Sequence, residues 1–144
     1  MRRKKKCRRI AVIIVLLAVL VGLHLYFYFR EPHNSLTPSG IERRLTVSLT
    51  PNKEARFSGQ IHRVENEVLL ELIRTDTWKR FRSPESEKLL MKIKLEEEYY
   101  LSIYESYVEV YNEYVPLTES SSAYYRLPEE VIRQIQEFCS QERN

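Results

Sequence analysis

Residues 89–111 read LLMKIKLEEEYYLSIYESYVEVY, and this stretch decides the fold. Leu89, Met91, Ile93 and Leu95 alternate with Leu90, Lys92, Lys94 and Glu96. Successive side chains of a strand leave opposite faces, so a period of two predicts a half-buried β-strand. Glu96-Glu97-Glu98 makes a turn, and Tyr99–Tyr104 and residues 107–111 follow as two further strands around Glu105-Ser106. Short polar connections between such runs predict a three-stranded antiparallel meander.

Downstream, residues 118–122 (TESSS) form a loop and residues 124–127 a last strand. Pro128 takes the first position of a helix, where its missing N–H costs nothing, and Glu129 and Glu130 fall where negative charge suits the helix dipole. Val131, Ile132, Ile135, Phe138 and Cys139 form its apolar face. On that face Cys139 is read as a small buried hydrophobe rather than a partner in an intermolecular disulfide.

Upstream, Ser83-Pro84 breaks the chain. Ile61, Val64, Val68, Leu69, Leu72 and Ile73 fall on one helical face and predict a helix over 60–74. Leu45-Thr46-Val47-Ser48-Leu49-Thr50 alternates strictly and predicts a strand, closed by a turn at Pro51-Asn52 and followed by a short strand over 55–58. Residues 30–40 are polar, hold two Pro and one Gly, and make a linker. Residues 41–144 are then one α+β domain: a small antiparallel sheet of four to six strands, largely a meander, packed on two helices.

The N-terminus is different in kind. Residues 2–9 (RRKKKCRR) carry seven basic side chains and no acidic one. Residues 10–29 (IAVIIVLLAVLVGLHLYFYF) follow, with His24 the only side chain that titrates near neutrality. At about 1.5 Å per helical residue this run spans the roughly 30 Å of a bilayer's hydrocarbon core. Its aromatic end and Arg30 suit the headgroup interface. Seven cations before the run against one after it orient the short tail, 1–9, in the cytoplasm and residues 31–144 outside, as a signal-anchor does. A cleaved signal peptide would have a shorter apolar run and small residues at a cleavage site, and Leu20-Val21-Gly22 is a poor match. Cys7 precedes the apolar run and is read as a plain cytoplasmic thiol rather than an acylated one. Ala18 and Gly22 have a small-xxx-small spacing, a weak signal for helix association.

Composition excludes several functions. The three Gly of the chain, at 22, 40 and 59, cannot form a P-loop or another phosphate-cradling loop. The GxSxG, HExxH and CxxC motifs are all missing. After the linker, His62 and Cys139 are the only His and Cys, too few for zinc, so neither a metal nor any other cofactor is expected. His62 is read as a surface histidine, and Glu96–Glu98 as a solvated turn.

Two features remain. Residues 41–95 carry 12 basic and 8 acidic side chains, while residues 96–144 carry 3 and 11. Pairing across strands would absorb much of this asymmetry. The alternative is a basic patch round Arg74, Lys79, Arg80 and Arg82, with Trp78 and Phe81 in the same run, facing an anionic envelope polymer, lipid headgroups or a protein partner. There Trp78 and Phe81 are equally readable as core, with Lys79, Arg80 and Arg82 solvated. From Arg30 onward the chain holds 16 basic and 20 acidic residues, which argues against nucleic acid. Second, eight of the ten Tyr fall between 99 and 125. Tyr packs well in sheets, and an exposed Tyr strip would suit a peptide or glycan. The expected function is a non-enzymatic, membrane-anchored extracytoplasmic binding or accessory module of the cell envelope. An envelope-polymer enzyme working through Glu residues and a structural, oligomerising spacer are the alternatives.

Overall fold

The computed structural model describes residues 2–29, 36–82, 84–113 and 122–142. The chain divides into two compact units, Met1–Glu31 and Pro32–Asn144. The first is a single helix, α1 (Arg2–Phe29). Its side chains from Ile10 to Tyr26 are all exposed. Among the described residues no helix is long and apolar enough to cross a membrane.

The second unit is α+β. In order it contains α2 (Pro38–Thr46), β1 (Asn52–Phe57), β2 (Gln60–Glu65), α3 (Asn66–Ile73), a 3-10 turn (Thr75–Thr77) and β3 (Lys79–Phe81). There follow β4 (Leu89–Lys94), β5 (Tyr99–Tyr104), β6 (Tyr107–Asn112), β7 (Ser122–Arg126) and α4 (Glu129–Gln141). The seven strands form one antiparallel sheet in the order β2-β1-β4-β5-β6-β7-β3. The expected meander is β4-β5-β6, and β7 extends it. The sheet is larger than four to six strands, because β1 and β2 join one side and β3 the other.

The register places a continuous row of apolar side chains on one face. Ala55 lies opposite Ile93, Ile93 opposite Leu101, Leu101 opposite Val110 and Val110 opposite Ala123. All are buried in one core with Ile41 and Leu45 of α2, Leu69 and Ile73 of α3, and Val131, Ile132 and Ile135 of α4. Three helices therefore cover this face, where two were expected.

Three local readings change. The alternation at 45–50 is not a strand: α2 runs to Thr46, with Val47 as its C-cap. Only Leu45 of the alternating apolar set is buried, and Leu49 is 102% exposed. The helix starts inside the expected linker, where the Thr37 side chain accepts from the Gly40 N–H and Pro38 opens the first turn. Residues 30–35 of that linker, Ser83 and residues 118–121 lie outside the described residues.

The helix expected over 60–74 is divided. Ser58 and Gly59 both have positive φ, 51° and 76°, which fits a two-residue hairpin turn joining β1 to β2. The helix proper starts only at Asn66. That buried side chain donates from Nδ2 to the carbonyls of Leu45 (3.1 Å) and Thr50 (2.8 Å) and so fastens the α2–β1 connection. The C-terminal helix forms one residue later than expected: Pro128, with extended backbone, is its N-cap, and Glu129 takes the first helical position.

Candidate functional site

α2, α3 and α4 leave the other face of the sheet without helical cover among the described residues of this unit, and alternation determines what that face presents. One cross-strand row runs Arg56, Lys92, Ser102, Glu109, Tyr124 and Phe81. The next runs Glu54, Lys94, Tyr100, Tyr111 and Ser122. The face is thus basic over β1 and β4 and aromatic over β5 to β7.

The aromatic part is packed on itself. Tyr104 and Tyr107 stack at 4.5 Å, and Phe81 meets Tyr107 (5.6 Å) and Tyr124 (6.4 Å) edge-on. The Arg126 guanidinium lies 4.7 Å over Phe81. The Glu109 carboxylate accepts long hydrogen bonds from Tyr104 (3.5 Å) and Tyr124 (3.3 Å). Burial, and then the Glu109 charge, raises both phenols above the ordinary tyrosine value, so they remain neutral donors. The β3–β4 connection adds a partial roof. The Tyr107 hydroxyl donates to the Glu85 carbonyl, and Glu87 accepts from Ser106 N (2.8 Å) and Oγ (2.6 Å). Tyr107 is only 5% exposed. Most of the tyrosine strip is therefore packing, and Tyr125 belongs to the core, its hydroxyl bonded to the Leu36 carbonyl at 2.9 Å.

The open part lies beside it. Glu54, Arg56, Ile61, Lys92, Lys94 and Tyr100 line a groove of about 270 Å³. Tyr100 and Tyr111 stack at 5.1 Å, and the Lys92 ammonium sits 4.8 Å and 5.4 Å over their rings. Lys92 is held above the ordinary lysine value, chiefly by its hydrogen bond to Tyr111, against a burial effect that lowers it. Arg56 and Lys92 are direct cross-strand partners, whereas Lys94 faces Glu54. Ion pairs among the described residues include Arg44–Glu96, Arg74–Asp76 and Arg133–Glu130, and none of these three involves a groove residue. Of these, Arg44–Glu96 joins the basic half of the sequence to the acidic half. The groove offers three cations, one carboxylate and one accessible ring edge. Among its described lining residues Glu54 is the one carboxylate, and the Glu113 charge acts on Lys92.

The run Trp78-Lys79-Arg80-Phe81-Arg82 is split. Trp78 is core, 8% exposed, with its indole N–H donating to the Ile73 carbonyl at 2.8 Å and its ring 5.4 Å from Tyr125. Ile73 is the last residue of α3, and the indole satisfies one of its otherwise orphaned carbonyls. Phe81, three residues on, leaves the opposite face and joins the tyrosines. Lys79 and Arg80 are exposed on edge strand β3, and Arg82 is half-buried.

Two further clefts lack this convergence. One of about 500 Å³ is lined by Ser48, Glu65, Asn66 and Glu67 among others. Beside it Lys53, 6% exposed, donates to Ser48 Oγ (2.6 Å) and Thr50 Oγ1 (3.0 Å). Burial lowers its affinity for the proton, and Glu96 partly opposes that. The ammonium acts here as a donor that ties the 47–51 connection to β1. The other cleft, about 460 Å³, includes Cys139, whose thiol burial pushes up to about 11. That thiol is a poor nucleophile near neutrality. His62 is half-buried and stacks on Phe57 at 4.0 Å. Among the described residues no three His, Cys, Asp or Glu side chains gather as a metal ion requires.

Compared with known proteins, the chain matches no family model, no curated protein and no solved structure.

Proposed function

We propose that the chain is a single-pass membrane protein of the cell envelope. Its tail is cytoplasmic, residues 10–29 cross the lipid, and the outer α+β domain is a binding or accessory module without catalysis. The partner is a membrane or envelope protein or an anionic envelope polymer. The observation that carries the binding reading is the basic groove on the sheet face opposite the helices, which adjoins stacked tyrosines. The anchor rests on the continuous apolar run, the seven-to-one charge bias around it, and the exposure of every side chain from Ile10 to Tyr26. Apolar side chains in an unbroken exposed helix call for lipid or another apolar surface.

Two measurements test this reading. In intact cells, a membrane-impermeant maleimide should label Ser86→Cys, an exposed position, and reach Cys7 only after lysis. Labelling of Cys7 from outside reverses the orientation, and a mature chain starting after residue 22 removes the anchor. A photo-cross-linking side chain at Lys94 should give adducts in cells, and one at Arg133 on α4 should not. Adducts from α4 alone would move the binding surface to the helical side.

A further inference from the structure

We infer that the β1–β4 groove binds a phosphodiester-linked polyol polymer, with phosphates on Arg56, Lys92 and Lys94 and polyol carbons against Tyr100. The inference rests on the open face being the binding surface. Arg56 and Lys92 lie directly opposite each other in the register and so concentrate positive charge on one stretch of the face, where the Tyr111 hydroxyl and, more weakly, the Glu113 charge hold Lys92 in its ammonium form. Neither is in an ion pair among the described residues, and the single acid of the groove, Glu54, faces Lys94 instead. Both groove strands come from the basic half of the sequence, so the local field is positive although the outer domain as a whole is acidic.

The shape selects among polyanions. Lys92 and Lys94 are two residues apart on one strand, about 6.6 Å at the usual rise, and Arg56 stands across from them. A flexible chain of regularly spaced charges can follow such a row. The groove lies on the face between strands already paired with each other, so their backbone donors and acceptors are used up. An extended acidic peptide would find none of the main-chain bonds that sheet edges provide. Tyr100 and Tyr111 stack on each other, which leaves no slot for a nucleic acid base. An aromatic flank beside ammonium and guanidinium groups matches alternating polyol and phosphate.

The full chain in neutral-lipid nanodiscs is titrated with poly(glycerol phosphate), polyglutamate of equal charge and phosphatidylglycerol vesicles over a range of salt. Poly(glycerol phosphate) should bind most tightly, with an affinity that falls as salt rises. Arg56→Gln with Lys92→Gln should weaken it about tenfold or more and flatten the salt dependence. Should that pair unfold, Lys94→Gln serves in its place, with a smaller loss in the same direction. Arg133→Gln, remote on α4, should change nothing. Tyr100→Ala should weaken poly(glycerol phosphate) but leave inorganic polyphosphate, which has no polyol, unaffected. Equal or tighter binding of polyglutamate, or binding to the vesicles alone, overturns the ligand class. Undiminished binding in the groove variants overturns the site. Loss of all polyanion binding while Lys94 cross-links persist would sink this inference and leave the open-face reading standing.

Discussion

The two faces of the sheet are built from the same strands in the same register, yet they have little else in common. On the helical side the row Ala55, Ile93, Leu101, Val110 and Ala123 is aliphatic and fully covered. On the other side the row Arg56, Lys92, Ser102, Glu109 and Tyr124 is polar, charged or aromatic, and among the described residues its cover is the β3–β4 connection where that passes Tyr107. Each kind of row is held differently. Burial holds the first, at about 25 cal/mol per Å² of apolar surface. Ring contacts worth about 0.5–1.5 kcal/mol each, and hydroxyls that need a carboxylate, hold the second. Stability should therefore be concentrated on one face, leaving the other free to be specified by what it binds.

The widest gap between the faces is expected within a single run of sequence. Trp78→Ala should cost about 3–5 kcal/mol in denaturant unfolding, because it opens a core cavity and orphans the Ile73 carbonyl. Phe81→Ala, three residues away on the open face, should cost about 1–2 kcal/mol from its ring contacts. Equal costs would mean that the open face is a second core.

Cys139 provides a pH-dependent contrast. Burial pushes its half-buried thiol up from the ordinary 9.0 to about 11. At pH 8 only about one molecule in a thousand carries the thiolate, so alkylation of the native chain should be slow and rise about tenfold per pH unit. In the folded state the neutral form is favoured. Its contribution is fully present below pH 9 and is lost as pH rises through 11. Cys139→Ala should lose that alkaline sensitivity. An alkylation midpoint near 9 would show a thiol that the helical side does not bury.

The smallest effect is expected at the edge. Lys79→Gln with Arg80→Gln should shift stability by no more than about 0.5 kcal/mol, as exposed substitutions usually do. Both residues are exposed on a three-residue strand, and charge on a short edge strand discourages pairing with other chains. A size-exclusion shift toward larger species in the double variant would show that this protection matters more than stability does.

These contrasts also explain what was readable in the chain. The meander was legible because Leu89 to Val110 alternates under short polar turns and because its strands pair with their neighbours in sequence. The 45–50 alternation misled because Val47 and Leu49 are apolar without being buried, while the decisive signal, Thr37-Pro38 as a helix start, lay in residues composed like a linker. Ile61, 58% exposed, fits the helical spacing of 61–73 yet lies on a strand, because Ser58-Gly59 turns a hairpin just before it. The groove was less visible still. The cations on β1 and β4 alternate plainly with core residues, but nothing local says that β1 sits beside β4, since more than thirty residues and a helix separate the two strands.

The strand order also sets a timetable. β4, β5 and β6 close on one another through short loops, and such local contacts form fast and at small entropic cost. Strand β3 has a different dependence: its sheet partner is β7, which comes after four intervening connections, and the β1–β2 hairpin must await β4 before it gains a sheet. As the chain emerges from its N-terminus, the pieces that become the two borders are made first and seated last. A nascent chain that stops short of Ser122 holds Lys79–Phe81 with no strand to pair against and Trp78 without its Tyr125 neighbour. The growing polypeptide therefore stays a client of whatever guards unfolded chains until nearly its whole length is available.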